Sequence, residues 1–324
     1  MGSIYKRIDP QLRFVGFIVK LLLHPSVWGF RFLHWLLTLS KPRPLKGAET
    51  QTHEIPRSQE DSSFRTLVYR PVNIEKPLPI VVYFHGGGYA MQLPDNPGYH
   101  LFYKGLMKTR DCIIIAPDYR RSLDAPYPAA FDDCYDTLLW AKQNAKALGG
   151  RSDQLFVMGD SAGGGLTLAT CLKARNTGDV NVAFQMPLYP MIDDTQSNPS
   201  AINNRMPGWN SGHNRVGWKL YLRGLKEKGA EIPETAAPAR ATSMQGLPPA
   251  VTFVGDLDPF LDETVIFVER LKETGVPVEF EVYPGCFHGF DQIVPDADKS
   301  KEALRFLMNA YAYAVDNYTA EQPK

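Results

Sequence analysis

Two stretches limit the fold most: PIVVYFHGG at 79–87 and DCIIIAPDY at 111–119. Each holds an unbroken apolar run, too short for an ordinary helix and without the alternation of a strand that wets one face. Runs of this form are strands buried on both faces, as in the interior of a parallel sheet. QLFVMGDS (154–161), AFQMPLYP (183–190), PAVTFVGD (249–256) and VEFEVYPG (278–285) repeat the form, and FRTLVYRP (64–71) alternates like a half-buried strand. Between them the pattern predicts helices near 98–109, 128–147, 162–175, 261–275 and 297–317. Strand and helix alternating in this way predict an α/β fold, a mostly parallel sheet flanked by helices. No solenoid-period repeat and no low-complexity tract competes with that reading.

Two segments break the rhythm. Residues 13–39 are strongly apolar, but Lys20, His24, Pro25, Arg31 and His34 interrupt any run long enough to span a bilayer. No small-residue cleavage site follows, and Lys6 stands where a myristoylation signal beginning at Gly2 needs Ser or Thr. The reading is two short helices, 11–23 and 26–39, broken at His24-Pro25, because proline disfavours helix at the residue before it. They cover an active site as a mobile cap, rest on a membrane interface, or simply cover the main domain; periodicity does not separate these. Residues 195–248, rich in Asn, Ser, Gly and Pro, show no clear strand and read as a second piece of cap. There Trp209, Trp218 and Tyr221 either line a pocket or pack the insert. The expected organisation is a helical cap segment at 1–45 and a catalytic domain at 46–324 that carries the insert.

The charge balance, 35 basic against 35 acidic residues, gives no overall field for nucleic acid and suits a neutral small molecule. Cys112, Cys134, Cys171 and Cys286 have neither metal nor redox spacing and read as buried thiols in a cytoplasmic protein, with Cys286 close enough to His288 to line a site. GGGYAM at 86–91 lacks the last glycine of a dinucleotide motif, and HEIPR at 53–57 is not a zinc-hydrolase helix. No metal or organic cofactor is expected.

The chemistry begins at GDSAG, 159–163, a G-x-S-x-G match at the end of a predicted strand and the start of a predicted helix. That context is a nucleophile elbow, which lifts Ser161 to the sheet edge beside the positive end of the helix. Gly163, Gly164 and Gly165 cost that helix about 1 kcal/mol each relative to alanine, so something other than helix propensity requires them. Serine needs a base, and His288 in GCFHGF, beyond the last predicted strand, is the best placed of seven histidines. The acid that orients it comes from VGDLDPFLDE at 254–263; Asp258 is preferred, and Asp262 would lie in the first turn of the next helix, where dipole stabilisation alone could explain it. Attack on an ester creates an oxyanion that needs preorganised N–H donors. The amides of Gly86, Gly87 and Gly88, with that of Ala162, are the expected donors, and His85, Asp160 and Asp262 the supporting residues.

HGGGY (85–89), GDSAGG (159–164), DPFLDE (258–263) and HGF (288–290) occur in the order of the hormone-sensitive-lipase family of α/β-hydrolase esterases, which the chain resembles over about residues 60–315. DYRRSLDAPYPAAFDDC (118–134) also resembles that family, although its first half departs from the usual wording. The resemblance implies the α/β-hydrolase fold, a triad of Ser161, Asp258 and His288, an oxyanion site at Gly86, Gly87, Gly88 and Ala162, short- to medium-chain acyl esters as substrates, and an N-terminal cap. Amide or lactone hydrolysis, acyl transfer and a non-catalytic small-molecule receptor are the alternatives on the same scaffold. A homodimer and a lipid-interface contact through the N-terminal helices stay open.

Overall fold

The computed structural model describes residues 3–39, 44–91 and 94–323; Gly2, where the sequence reading weighed a lipid signal, and residues 40–43 of the expected cap segment lie outside them. The strands are β1 (Ala48–Pro56), β2 (Ser63–Pro71), β3 (Leu78–Phe84), β4 (Ile113–Pro117), β5 (Gly150–Asp160), β6 (Phe184–Leu188), β7 (Ala250–Gly255) and β8 (Val278–Tyr283). They form one sheet in the order β1-β2-β4-β3-β5-β6-β7-β8. β1 and β2 pair antiparallel, as do β2 and β4; every other pairing is parallel. The helices are α1 (Ser3–Arg7), α2 (Arg13–Leu22), α3 (Val27–Thr38), α4 (His100–Thr109), α5 (Ala129–Asn144), α6 (Ala162–Thr177), α7 (Ser211–Tyr221), α8 (Arg223–Glu227), α9 (Leu261–Glu273), α10 (Phe290–Ile293) and α11 (Asp298–Asn317).

Alternate residues of the inner strands feed two cores. Ile80, Val82, Ile113, Ile115, Leu155 and Val157 pack on one face with residues of α5, α6 and α9. Val81, Tyr83, Ile114, Phe156 and Met158 pack on the other with residues of α4 and α11. Both faces being covered, period-two alternation disappears from these strands, and they read as solid apolar runs. β1 is the strand that the sequence reading lacks. It is a polar edge strand, half-buried or exposed at every position except Ile55, so it carries no apolar signal.

At β3 the strand order reverses: its neighbours are β4 on one side and β5 on the other. Crevices outside the carboxyl ends of the strands at such a switch point are where open α/β sheets hold ligands. The chain leaves β3 through His85–Gly88, β5 through Ser161, β7 through Asp258 and β8 through His288, all at that end. Over it lie α2 and α3. Gly16 of α2 comes so close to Phe287 that a Cβ would sit 2.8 Å from the ring, and Phe30 of α3 stacks on Trp209 with centroids 5.6 Å apart. Ser26 caps α3 by accepting from the Gly29 amide at 2.9 Å, which starts a new helix directly after the break at Pro25.

Candidate active site

The turn between β5 and α6 holds Ser161 at φ 57°, ψ −118°, a strained backbone for a residue with a side chain. Close packing over-determines it. A Cβ on Gly163 would lie 1.9 Å from the Phe84 carbonyl oxygen, and one on Gly159 would lie 2.3 Å from the Gly163 carbonyl. Gly164 abuts the Leu188 carbonyl, and Gly165 the Tyr89 hydroxyl and the Met191 carbonyl. The four glycines therefore let α6 start against β3, the end of β6 and the chain beyond it, which is the requirement that helix propensity left unexplained. Ser161 itself is tied at both backbone groups: its amide donates to Leu188 at 2.9 Å, and its carbonyl accepts from Met191 at 2.9 Å.

His288 brings Nε2 within 2.9 Å of Ser161 Oγ and Nδ1 within 2.7 Å of Asp258 Oδ2. The other carboxylate oxygen of Asp258 accepts from the Phe260 amide at 2.9 Å, so the carboxylate cannot turn away. All three residues are buried, and the imidazole meets the rings of Tyr189 and Phe260 edge to face, with centroids 5.1 and 5.0 Å away. Asp256 accepts the Gly285 amide at 2.7 Å and faces away from this chain of contacts.

The glycine-rich exit of β3 differs from the sequence expectation at one of its three glycines. Gly86 donates its amide to Asp160 Oδ1 at 3.1 Å, and its carbonyl accepts from His85 Nδ1 at 2.9 Å. Its single amide hydrogen is already given to Asp160, so Gly86 has no donor left for a substrate oxyanion. Gly87 (φ 111°) and Gly88 (φ 62°) line the cavity with Ser161 and His288, in backbone conformations that only glycine adopts without strain. No protein acceptor takes the amides of Gly87, Gly88 or Ala162 among the described residues. Ala162 begins α6, at the positive end of its dipole.

The supporting residues divide. Asp160 is buried beneath the site and accepts from the Tyr83 hydroxyl at 2.5 Å, the Gly86 amide and Gln292 Nε2 at 3.0 Å. Burial pushes its carboxyl pKa up while the Tyr83 and Gln292 donors pull it back. His85 stacks on Tyr119 at 4.1 Å, and burial holds its imidazole at about 4, so it stays neutral and fixes the loop. Asp262 does not join the site: it lies in the first turn of α9 and accepts the Ser200 amide at 2.7 Å, tying down the insert. Cys286 also stays out. It is buried, and its carbonyl crowds Gly255.

The sequence reading missed Gln292, Tyr189 and Asp291. Gln292 donates to both Asp160 and the Tyr189 hydroxyl (2.9 Å), and Tyr189 donates to Asp291 Oδ2 at 3.2 Å. The only sequence signal for Gln292 was its distance of one helical turn from His288. Trp209 resolves toward the pocket, whereas Trp218 and Tyr221 pack the insert against Tyr89. The cavity above Ser161 is about 160 Å³ and is walled by Val19, Leu23 and Leu33 from the N-terminal segment, Gly208 and Trp209 from the insert, and Met91.

Residues 81–292 match the model of a family described as alpha/beta hydrolase fold. Carboxylesterase NlhH of Mycobacterium tuberculosis is 33% identical over 235 residues, covering 71% of this chain and 73% of that protein. An arylesterase of Saccharolobus solfataricus is 28% identical over 243 residues, covering 74% and 77%. Among solved structures, a bacterial heroin esterase superposes with a TM-score of 0.86 at 27% identity, over 97% of this chain and 99% of that one.

Proposed function

The chain belongs to the α/β-hydrolase fold family, in its hormone-sensitive-lipase branch, and from that membership we propose that Ser161, His288 and Asp258 are its catalytic triad. The chain is a carboxylic ester hydrolase of the serine type. Ser161 Oγ attacks the ester carbonyl while His288 Nε2 takes its proton. Asp258 keeps the remaining N–H on Nδ1 and stabilises the imidazolium. The amides of Gly87, Gly88 and Ala162 receive the oxyanion, in a dry site where such donors count most. His288 then protonates the leaving alcohol, and the acyl group stays on Ser161. A water, deprotonated by the same imidazole, attacks the acyl-enzyme and releases the acid. The observation that carries this reading is the unbroken Asp258–His288–Ser161 chain of contacts at 2.7 and 2.9 Å. A receptor that had given up turnover would have no need of that alignment.

Residues 1–45 and the insert at 195–248 form the cap in this proposal, since both supply cavity walls. A space of about 160 Å³ is close to the roughly 150 Å³ engineered cavity that takes one benzene, which suits a short acyl group. The test is hydrolysis of p-nitrophenyl esters from acetyl to palmitoyl, with Ser161→Ala as control. Turnover of the short esters that the substitution abolishes is the expected result. A folded protein that turns over no ester, or one whose turnover survives Ser161→Ala, overturns the assignment.

A further inference from the structure

Among the described residues sixteen large apolar side chains are exposed, and eleven of them lie between Phe14 and Leu39. All but Val27, at the start of α3, fall in two helical stripes. On α2, Phe14, Phe17, Ile18, Leu21 and Leu22 recur at the i, i+3, i+4, i+7, i+8 spacing of one face, while Gly16 and Val19 turn inward toward Phe287 and the cavity. On α3, Trp28, Phe32, Trp35 and Leu36, with Leu39 just beyond, face out, and Phe30 and Leu33 face in. Exposure is high where it matters: 83% for Trp28, 73% for Leu22 and 72% for Phe14. Helices that are apolar on both sides yet lie on the outside of a domain present a surface that water alone does not suit.

Charge identifies the occupant. Residues 1–46 hold eight Lys and Arg against one acidic residue, Asp9, and the other 278 residues hold 27 against 34. Lys6, Arg7 and Arg31 are exposed on the segment itself. Beside α2, a cleft lined by Lys20, Arg205 and Arg215, with no acidic residue in its wall, adjoins Leu23 and Pro25. Aromatic and leucine side chains on the outer faces, with exposed basic side chains on the same segment and a basic cleft beside it, match an interface that is anionic outside and apolar beneath. A second copy of the chain would bring the same positive segment against itself, at an electrostatic cost. No helix among the described residues is long and apolar enough to cross a membrane, so the contact lies in the plane of the surface.

We propose that the outer faces of α2 and α3 dock on an anionic lipid surface. The cavity lies directly under these helices, so docking places its Val19, Leu23 and Leu33 wall next to esters dissolved in that surface. The delivery of substrate rests on the esterase reading; the docking does not.

The full chain is floated with phosphatidylcholine vesicles and with vesicles in which about one third of the lipid is phosphatidylglycerol. Partition onto the anionic vesicles is expected to be at least about tenfold stronger and to weaken with added salt. The double variant Trp28→Ser/Trp35→Ser should lose at least about tenfold of it, with turnover of a water-soluble short-chain ester, measured without vesicles, held within about twofold. Arg31→Glu, a change at an exposed position on the α3 face, should weaken partition without removing an apolar side chain from either stripe. No partition, partition indifferent to these substitutions, or a dimer in light scattering that the double substitution splits, each overturns the proposal. Flotation needs no turnover, so its failure and a failure of the ester assay fall on different claims.

Discussion

Replacing Gly163 by alanine sets two magnitudes against each other. Helix propensity favours alanine by about 1 kcal/mol at this position in α6. Packing opposes it: the new Cβ would lie 1.9 Å from the Phe84 carbonyl oxygen and 2.7 Å from that of His85, both main-chain atoms with no rotamer to change. Relief to an ordinary contact needs an opening of more than about 1 Å between the head of α6 and the exit of β3. Overpacking of this kind costs about 1–3 kcal/mol, so the net effect is destabilising. The displaced carbonyls belong to the residues that lead into Gly87 and Gly88, and a misplacement of about 1 Å in a catalytic group costs roughly a hundredfold in rate. Gly163→Ala should therefore lower kcat/KM on p-nitrophenyl butyrate about a hundredfold, mostly in kcat, and lower Tm by a few degrees. Gly178→Ala at the other end of α6 is the control: φ is 69°, but the space around it is open, so it should cost about 1 kcal/mol and leave turnover intact. A Gly163→Ala protein with wild-type kcat/KM and an unchanged or higher Tm would refute the packing argument.

Two further substitutions read the site by its protons. In Asp258→Asn the Phe260 amide holds the oxygen of the new side chain, so its NH2 faces His288 Nδ1 and forces the tautomer with hydrogen on Nε2, which cannot accept the Ser161 proton. Turnover should fall about ten-thousandfold, while Asp256→Asn and Asp262→Asn, which receive only backbone amides, should lose little; the reverse ranking would move the acid. Asp291 is a buried acid whose pKa is raised to about 7, first by desolvation and then by Asp160. The folded chain holds this proton longer than the unfolded one, so the stability it contributes is complete below about pH 4 and is lost as pH rises through about 7. Melting curves at pH 5 and pH 8 should show a smaller loss of Tm for Asp291→Asn than for the wild type, and parallel losses would sink the assignment.

What the sequence made legible follows from how each feature is encoded. The inner strands are legible because burial on both faces forces apolar residues at every position, as in Ile113, Ile114 and Ile115. β1 is not, because an edge strand is held by its ladder to β2 and leaves its side chains free to be polar. The residues proposed as nucleophile, base and acid are legible by residue type at strand ends. Gly86 does not, because a row of glycines says that amides can turn but not toward which acceptor. That acceptor is Asp160, which precedes the nucleophile in sequence and lies 74 residues from Gly86. Gln292 was hidden for the same reason, its role being set by a contact with the end of a different strand.

The N-terminal helices show the limit of periodicity most clearly. A segment apolar around most of its circumference reads alike whether a core, a partner or a lipid surface covers it. The structure separates the two sides: Gly16, Val19, Phe30 and Leu33 face the protein, while Phe14, Leu22, Trp28 and Phe32 do not. The inner set accounts for the site, since without it the cavity above Ser161 lacks one wall and stands open to water. The outer set has no such account within the chain. It belongs to a segment, residues 1–46, whose eight Lys and Arg against one acidic residue are offset by the 34 acidic against 27 basic residues of the rest, and electroneutrality of the whole conceals that asymmetry. A net charge of zero therefore says nothing against an anionic surface as partner, because the field that such a surface meets is that of the nearest segment, within about a Debye length of 8–10 Å.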